Sequence, residues 1–166
     1  MKPNVVPMPP GIRAWKYRSE ARSYAQAARV LGREYPDQML RPRYFLLCHA
    51  LELALKSFLA AHGADNKALR QISHDLSAAY DQAKVKPGFP ISDKLLQTLV
   101  ELMSPEHEGY WFRYPGAPYV ELPKSDQCCD VIDEFLKQTQ GVVVGAYKQA
   151  HLDLEAQNLE YDPELE

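Results

Sequence analysis

Between residues 45 and 61 the chain reads FLLCHALELALKSFLAA, with apolar or small side chains at nearly every position. A helix over this stretch is apolar around almost its whole circumference and belongs at the centre of a bundle. Three polar groups interrupt it. His49, Glu52 and Lys56 are spaced three and four residues apart, which at about 100° per residue aligns them on one stripe roughly 60° wide. Glu52 four residues before Lys56 is the favourable orientation for an ion pair, worth only ~0.3–0.5 kcal/mol if exposed. If the pair is half buried each charge needs a partner, because desolvating a lone one costs several kcal/mol. The stripe is therefore either the one solvated face of this helix or an internal polar network.

The same periodicity predicts four more helices. Over about 12–35, Tyr17, Ala21, Tyr24, Ala28, Leu31 and Tyr35 share a face, with Arg18, Arg22, Arg29 and Arg33 roughly opposite as a basic stripe. Pro36 and Pro42 break the chain before the apolar helix, which Gly63 closes. A third helix is predicted from near Ser73, with Asp75 in its first turn, to Pro87. Ser92 and Asp93 offer the start of a fourth, SDKLLQTLVELM, ending before Pro105. Residues 105–124, rich in aromatics, glycine and proline, read as a loop. The last long helix begins at about Ser125, where Cys128, Ile132, Phe135, Thr139, Val142 and Ala146 keep a four-three rhythm, and Gly141 within it points to close packing or a bend. VVVGAY is the only tract that tempts a strand assignment. The expected fold is all-α, a five-helix up-and-down bundle over 12–150, with an extended proline-rich arm at 1–11 and an acidic, partly mobile tail at 151–166.

Length and composition add boundaries. A chain of 166 residues suits one domain with a sizeable core, and 46% hydrophobic with 25% charged residues excludes wholesale disorder. No apolar run looks long enough to span a bilayer, and MKPNVVPMPPGIR lacks the apolar stretch of a secretory signal, so a cytoplasmic location without membrane association is expected by default. Cys48, Cys128 and Cys129 form neither a disulfide framework nor a C-x-x-C metal pair, and read as packed thiols. The net charge of −3 conceals an asymmetry: nine Lys/Arg against three Asp/Glu through residue 43, and ten against nineteen afterwards. A basic N-terminal part meets either a polyanion or the acidic remainder of the protein.

Candidate chemistry gathers around the polar stripe. If the second and third helices fold back as a hairpin, His74 and Asp75 come close to Lys56, and His49, Glu52, Lys56, His74 and Asp75 line a polar pocket. Arg113 and Tyr114, in the loop segment YWFRY with Tyr110 and Trp111, would add charge and stacking surfaces. A metal site drawn from His49, His74, Asp75, His107 and Glu108 has no spacing that fixes its geometry, so neither metal nor cofactor is expected. There is no glycine-rich phosphate loop and no Ser or Cys nucleophile in an activating context.

HALELALKSFLAAHG followed by ISHDLSAAYDQA resembles the HEPN domain family, small helical bundles in which an E-x-x-x-K helix leads into an HDL helix. FRYPG, from Phe112 to Gly116 ahead of a final long helix, is also similar to members of that family, and the likeness runs over about residues 15–148. The resemblance implies an up-and-down α-bundle that commonly dimerises and binds RNA or a nucleotide. Some members are metal-independent ribonucleases with an arginine followed closely by a histidine, usually near the last helix and facing a dimer cleft. Histidine can take a proton from a ribose 2′-hydroxyl while arginine stabilises the phosphorane. Here the last helix has no arginine, only Lys148 near His151, and the spacing occurs instead at Arg43 to His49, with Tyr44 after the arginine. The candidate catalytic residues are thus Arg43, His49 and His74, and the candidate nucleic-acid-binding residues are Arg18, Arg22, Arg29 and Arg33. Three functions follow as expectations: an RNA- or nucleotide-binding module, a ribonuclease, or a partner subunit of a nucleotidyltransferase or of a toxin–antitoxin pair, in each case as the homodimer that the resemblance implies.

Overall fold

In the computed structural model, which describes residues 4–90, 94–109, 112 and 122–165, the chain is predominantly helical. The described elements are β1 (Asn4–Pro7), α1 (Pro10–Glu34), α2 (Leu40–Ala61), α3 (Asn66–Ile72), α4 (Leu76–Lys84), α5 (Lys94–Glu108), α6 (Ser125–Gln138), α7 (Gln140–Ala156) and β2 (Leu159–Asp162). The all-α class holds, but with seven described helices where the periodicity predicts five.

Each extra helix has a local cause. Asp65 caps the short α3, its carboxylate accepting from the Ala68 N–H at 2.8 Å. Ser73, in the left-handed region at φ 53°, then breaks the chain, and Asp75 caps α4 by accepting from the Ala78 N–H at 2.8 Å. The predicted last helix is likewise two. It breaks at Thr139, whose hydroxyl bonds back to the Phe135 carbonyl at 2.8 Å. After the break the buried face passes through Val143, Ala150 and Leu154, leaving Val142 and Ala146 only partly buried. Gly141 lies two residues beyond the break and meets nothing within 4 Å of a would-be Cβ, so close packing does not account for it.

Helix α5 corrects the sequence reading at its other end. It continues through Pro105 to Glu108, although a proline in a helix interior forfeits one backbone hydrogen bond and costs about 3 kcal/mol. The starting residues Ser92 and Asp93 lie outside the described residues.

Helix α2 is the axis of the bundle, packed against every other described helix. By length and apolar composition alone it could cross a membrane, contrary to the reading of the sequence; its most apolar window is 78% buried within the protein, and a central core helix has this composition for that reason. Helix α1 lies along α2 on a stripe of small residues, Ala14, Ala21, Ala25 and Ala28, all buried, while Tyr17, Tyr24 and Leu31 are half-buried and Tyr35 is exposed. Ser57 of α2 donates to the Ala14 carbonyl at 2.7 Å, a contact that only a close helix pair permits.

Segments of the proline-rich arm and the acidic tail are paired with each other. Helix α7 runs to Ala156, and β1 and β2 pair in parallel with Asn4 opposite Leu159 and Pro7 opposite Asp162. Val6, Met8, Leu159 and Tyr161 pack there on a small second core of Ile12, Ala150 and Leu154. The tract VVVGAY lies within α7.

The start of α1 touches the backbone of α7. A Cβ on Gly11 would stand 2.2 Å from the Ala146 carbonyl oxygen, whereas one on Gly145 would meet nothing within 4 Å. Gly11→Ala is expected to cost about 1–3 kcal/mol by forcing the helices apart. Gly145→Ala is expected to add about 0.5–1 kcal/mol, since alanine loses less backbone entropy in a helix. Urea midpoints of the two variants should therefore move in opposite directions.

Candidate functional site

The polar stripe of α2 is an internal network. Glu52, 3% exposed, and Lys56, 8% exposed, are both in the core. The Lys56 ammonium donates to Glu52 Oε1 at 2.7 Å and to the Ser73 carbonyl at 2.6 Å, so the left-handed turn at Ser73 presents an acceptor to a buried cation. On the other carboxylate oxygen, His107 Nε2–H donates at 2.6 Å and His74 Nδ1–H at 2.9 Å. His107 is buried and His74 half-buried, their rings edge to face with centroids 5.4 Å apart. His49 Nδ1 stands 3.7 Å from the same oxygen, beyond hydrogen-bond range. Its ring is fixed between Tyr24, edge to face at 4.6 Å, and Phe45, parallel at 6.1 Å.

Burial alone would push the Glu52 carboxyl up; His107, His49, His74 and Lys56 together outweigh it and hold the group ionised far below the usual carboxylate range. One anion thus ties α2 to the α3–α4 turn and to the end of α5. One ligand atom each of Glu52, His74 and His107 lie within 4.8 Å of one another, and these are the described group of side chains placed to hold a metal ion. Burial also raises the thiols of Cys128, to about 12, and Cys129, to about 11, which keeps both protonated; Cys48 is buried as well.

No protein-family model, characterised protein or solved structure matches this chain.

The residues singled out from sequence divide as follows. Glu52, Lys56 and His74 are in direct contact and His49 is beside them. Asp75 is spent as the α4 cap. Arg113, Tyr114, Tyr110 and Trp111 lie outside the described residues; Phe112 stacks on Tyr44 at 5.8 Å. Arg43 is buried, and its guanidinium donates to the carbonyls of Tyr35 at 2.7 Å, Pro36 at 3.2 Å and Gln38 at 2.9 Å and to the Ser125 hydroxyl at 3.2 Å. It ties the α1–α2 turn to the start of α6.

The arginine stripe is divided too. Arg18 is buried under α6 and α7 and donates to the Leu136 carbonyl at 3.1 Å and to Gln140 Oε1 at 3.2 Å. Arg29 bridges Asp130 and Asp133 of α6 at 3.0 and 2.9 Å, and Arg33 pairs with Glu34 at 2.8 Å. Arg22 is exposed. Together with Arg18, Ser19, Ser23 and Gln26 of α1 and Lys137 and Gln140 across the groove, it lines a pocket of about 720 Å³.

His107 is the member of the network that the sequence reading left outside its pocket. Its signal is the spacing Leu96, Val100, Met103, His107, a four-three-four rhythm whose members are all buried and which Pro105 masks.

Proposed function

We propose that this chain is a HEPN-like helical module that binds RNA or a nucleotide by its phosphates in the groove between α1 and α6. The observation that carries the reading is the pocket at Arg22. It holds Arg22 and Lys137 at its surface, hydroxyl and amide groups from Ser19, Ser23, Gln26 and Gln140, and a volume of about 720 Å³, within the usual range for a small-molecule site. Its one acidic lining residue among the described residues, Asp133, is engaged by Arg29. The HEPN likeness draws support from the contact of the E-x-x-x-K pair, Glu52 and Lys56, with the histidine of HDL, His74. In a ribonuclease reading Arg43 is a poor candidate, since it is committed to backbone carbonyls, and the other candidate arginine, Arg113, lies outside the described residues.

Filter binding of a single-stranded RNA oligonucleotide and of ATP across a salt series tests the proposal. Affinity for RNA should fall steeply with salt. The double variant Arg22→Ala/Lys137→Ala should bind about tenfold or more weakly, with a salt slope reduced by about 1–2. Arg33→Ala, whose guanidinium is paired with Glu34, should bind as the wild type. Absence of binding at low salt, or binding indifferent to the double variant, overturns the reading.

A further inference from the structure

Three imidazole nitrogens converge on a single carboxylate oxygen. Such an oxygen offers about two lone-pair directions, and on Glu52 Oε2 these are taken by His107 Nε2–H at 2.6 Å and His74 Nδ1–H at 2.9 Å. The third nitrogen, His49 Nδ1 at 3.7 Å, is buried and has no hydrogen-bond partner among the described residues. A buried ring nitrogen without a partner is costly. Hydrogen bonding explains two of the histidines and the lysine, and gives no reason for the third to point inward.

We propose that Glu52, His74, His107 and His49 form a binding site for a divalent transition-metal ion of the zinc class, with three imidazole nitrogens and one carboxylate oxygen as ligands. The donor set selects the ion: imidazole suits zinc, cobalt and nickel, whereas calcium and magnesium take oxygen ligands. The distances among Glu52, His74 and His107 are within reach of one ion. A tetrahedral ion with bonds of about 2.0–2.2 Å holds its ligand atoms roughly 3.3–3.5 Å apart. Reaching that spacing moves His107 outward from Oε2 by roughly 0.8 Å and His74 by roughly half an ångström, and draws inward His49, which stands outside the group of ligand atoms lying within 4.8 Å of one another. Bound this way, each imidazole presents an unprotonated nitrogen and carries its proton on the opposite one. Lys56 stays on Oε1, which leaves Oε2 to the ion as a single-oxygen ligand and fixes the plane of the carboxylate, the role of a supporting partner around a metal centre. The half-exposed side chains of His49 and His74, 23% and 29%, mark the side by which an ion enters.

Titration of the full chain with Co²⁺, followed by visible absorption, and with Zn²⁺, followed by calorimetry, tests the site at pH 7.5, about one unit above the usual histidine range. The expected result is one ion per chain, a Co²⁺ spectrum of tetrahedral intensity and no thiolate charge-transfer band. His49→Gln and His74→Gln, which alter partly exposed side chains, should each weaken binding at least tenfold while far-ultraviolet circular dichroism is unchanged. His62→Gln and His151→Gln should leave affinity unaltered. Failure of the wild type to bind Co²⁺ stoichiometrically, a thiolate band, or affinity unchanged in His49→Gln overturns the proposal. RNA binding through the Arg22 groove is independent of all these outcomes.

Discussion

Glu52→Ala is expected to cost about 3–5 kcal/mol of stability, the penalty for breaking a buried ion pair from one side. The substitution leaves the Lys56 ammonium, 8% exposed, with the Ser73 carbonyl alone, and strips the acceptor from His107, 4% exposed. For a domain whose total stability is about 5–15 kcal/mol, such a loss is a large fraction of the whole. Urea denaturation checks it: a midpoint that implies less than about 1 kcal/mol would mean that the carboxylate is not in a dry site. Removing both charges with Glu52→Gln/Lys56→Met should be milder than Glu52→Ala, because no orphaned ion remains.

The same residue sets an acid dependence in the metal-free protein. The folded carboxyl is held far below its ordinary 4.5, so below about pH 4.5 the unfolded chain takes up a proton at this position that the folded chain refuses. Unfolding is then favoured as pH falls, by about 1.4 kcal/mol per pH unit for this group. Above about pH 5.5 its contribution is complete. Subtracting the stability curve of Glu52→Gln from that of the wild type isolates this slope, and a flat difference between pH 3 and 4.5 would refute it.

What was legible in the sequence was local. His49, Glu52 and Lys56 fall on one stripe because helical geometry leaves no alternative, and a serine–histidine–aspartate turn soon after α2 brings His74 to that stripe. The start of a helix near Ser73 was legible, but α3 before it was not, because a seven-residue helix is too short to show a period. His107, named only among conceivable metal ligands, was left out of the pocket for a different reason: Pro105 signals an end, and the helix passes through it to a buried hydrogen bond with Glu52 that lies 55 positions back. The arginines show the limit most clearly. Arg18, Arg22, Arg29 and Arg33 look equivalent along α1, yet Arg29 meets Asp130 and Asp133 and Arg18 meets Gln140, partners more than 100 residues distant. The pairing of β1 with β2 is longer-range still, between two four-residue segments with no pattern of their own.

Arg43 shows how a spacing that suggests chemistry can have a structural origin. Its guanidinium gathers three carbonyls of the α1–α2 turn, those of Tyr35, Pro36 and Gln38, and reaches the Ser125 hydroxyl. The turn needs such a donor: Met39 follows in the left-handed region at φ 55°, and the end of α1 carries carbonyls without helical partners. The neighbouring Tyr44 hydroxyl donates to the Pro123 carbonyl, so two consecutive residues hold the start of α2 against the approach to α6. Arg43→Ala is expected to lower stability by about 2–4 kcal/mol, through lost charge-assisted hydrogen bonds and the packing of its buried stem. Arg43→Lys should recover only part, since an ammonium cannot span the same fork of acceptors. Urea denaturation measures both. A catalytic arginine would give the opposite pattern, with stability unchanged and RNA cleavage abolished; an Arg43→Ala protein as stable as the wild type would return Arg43 to the list of residues that act on a substrate.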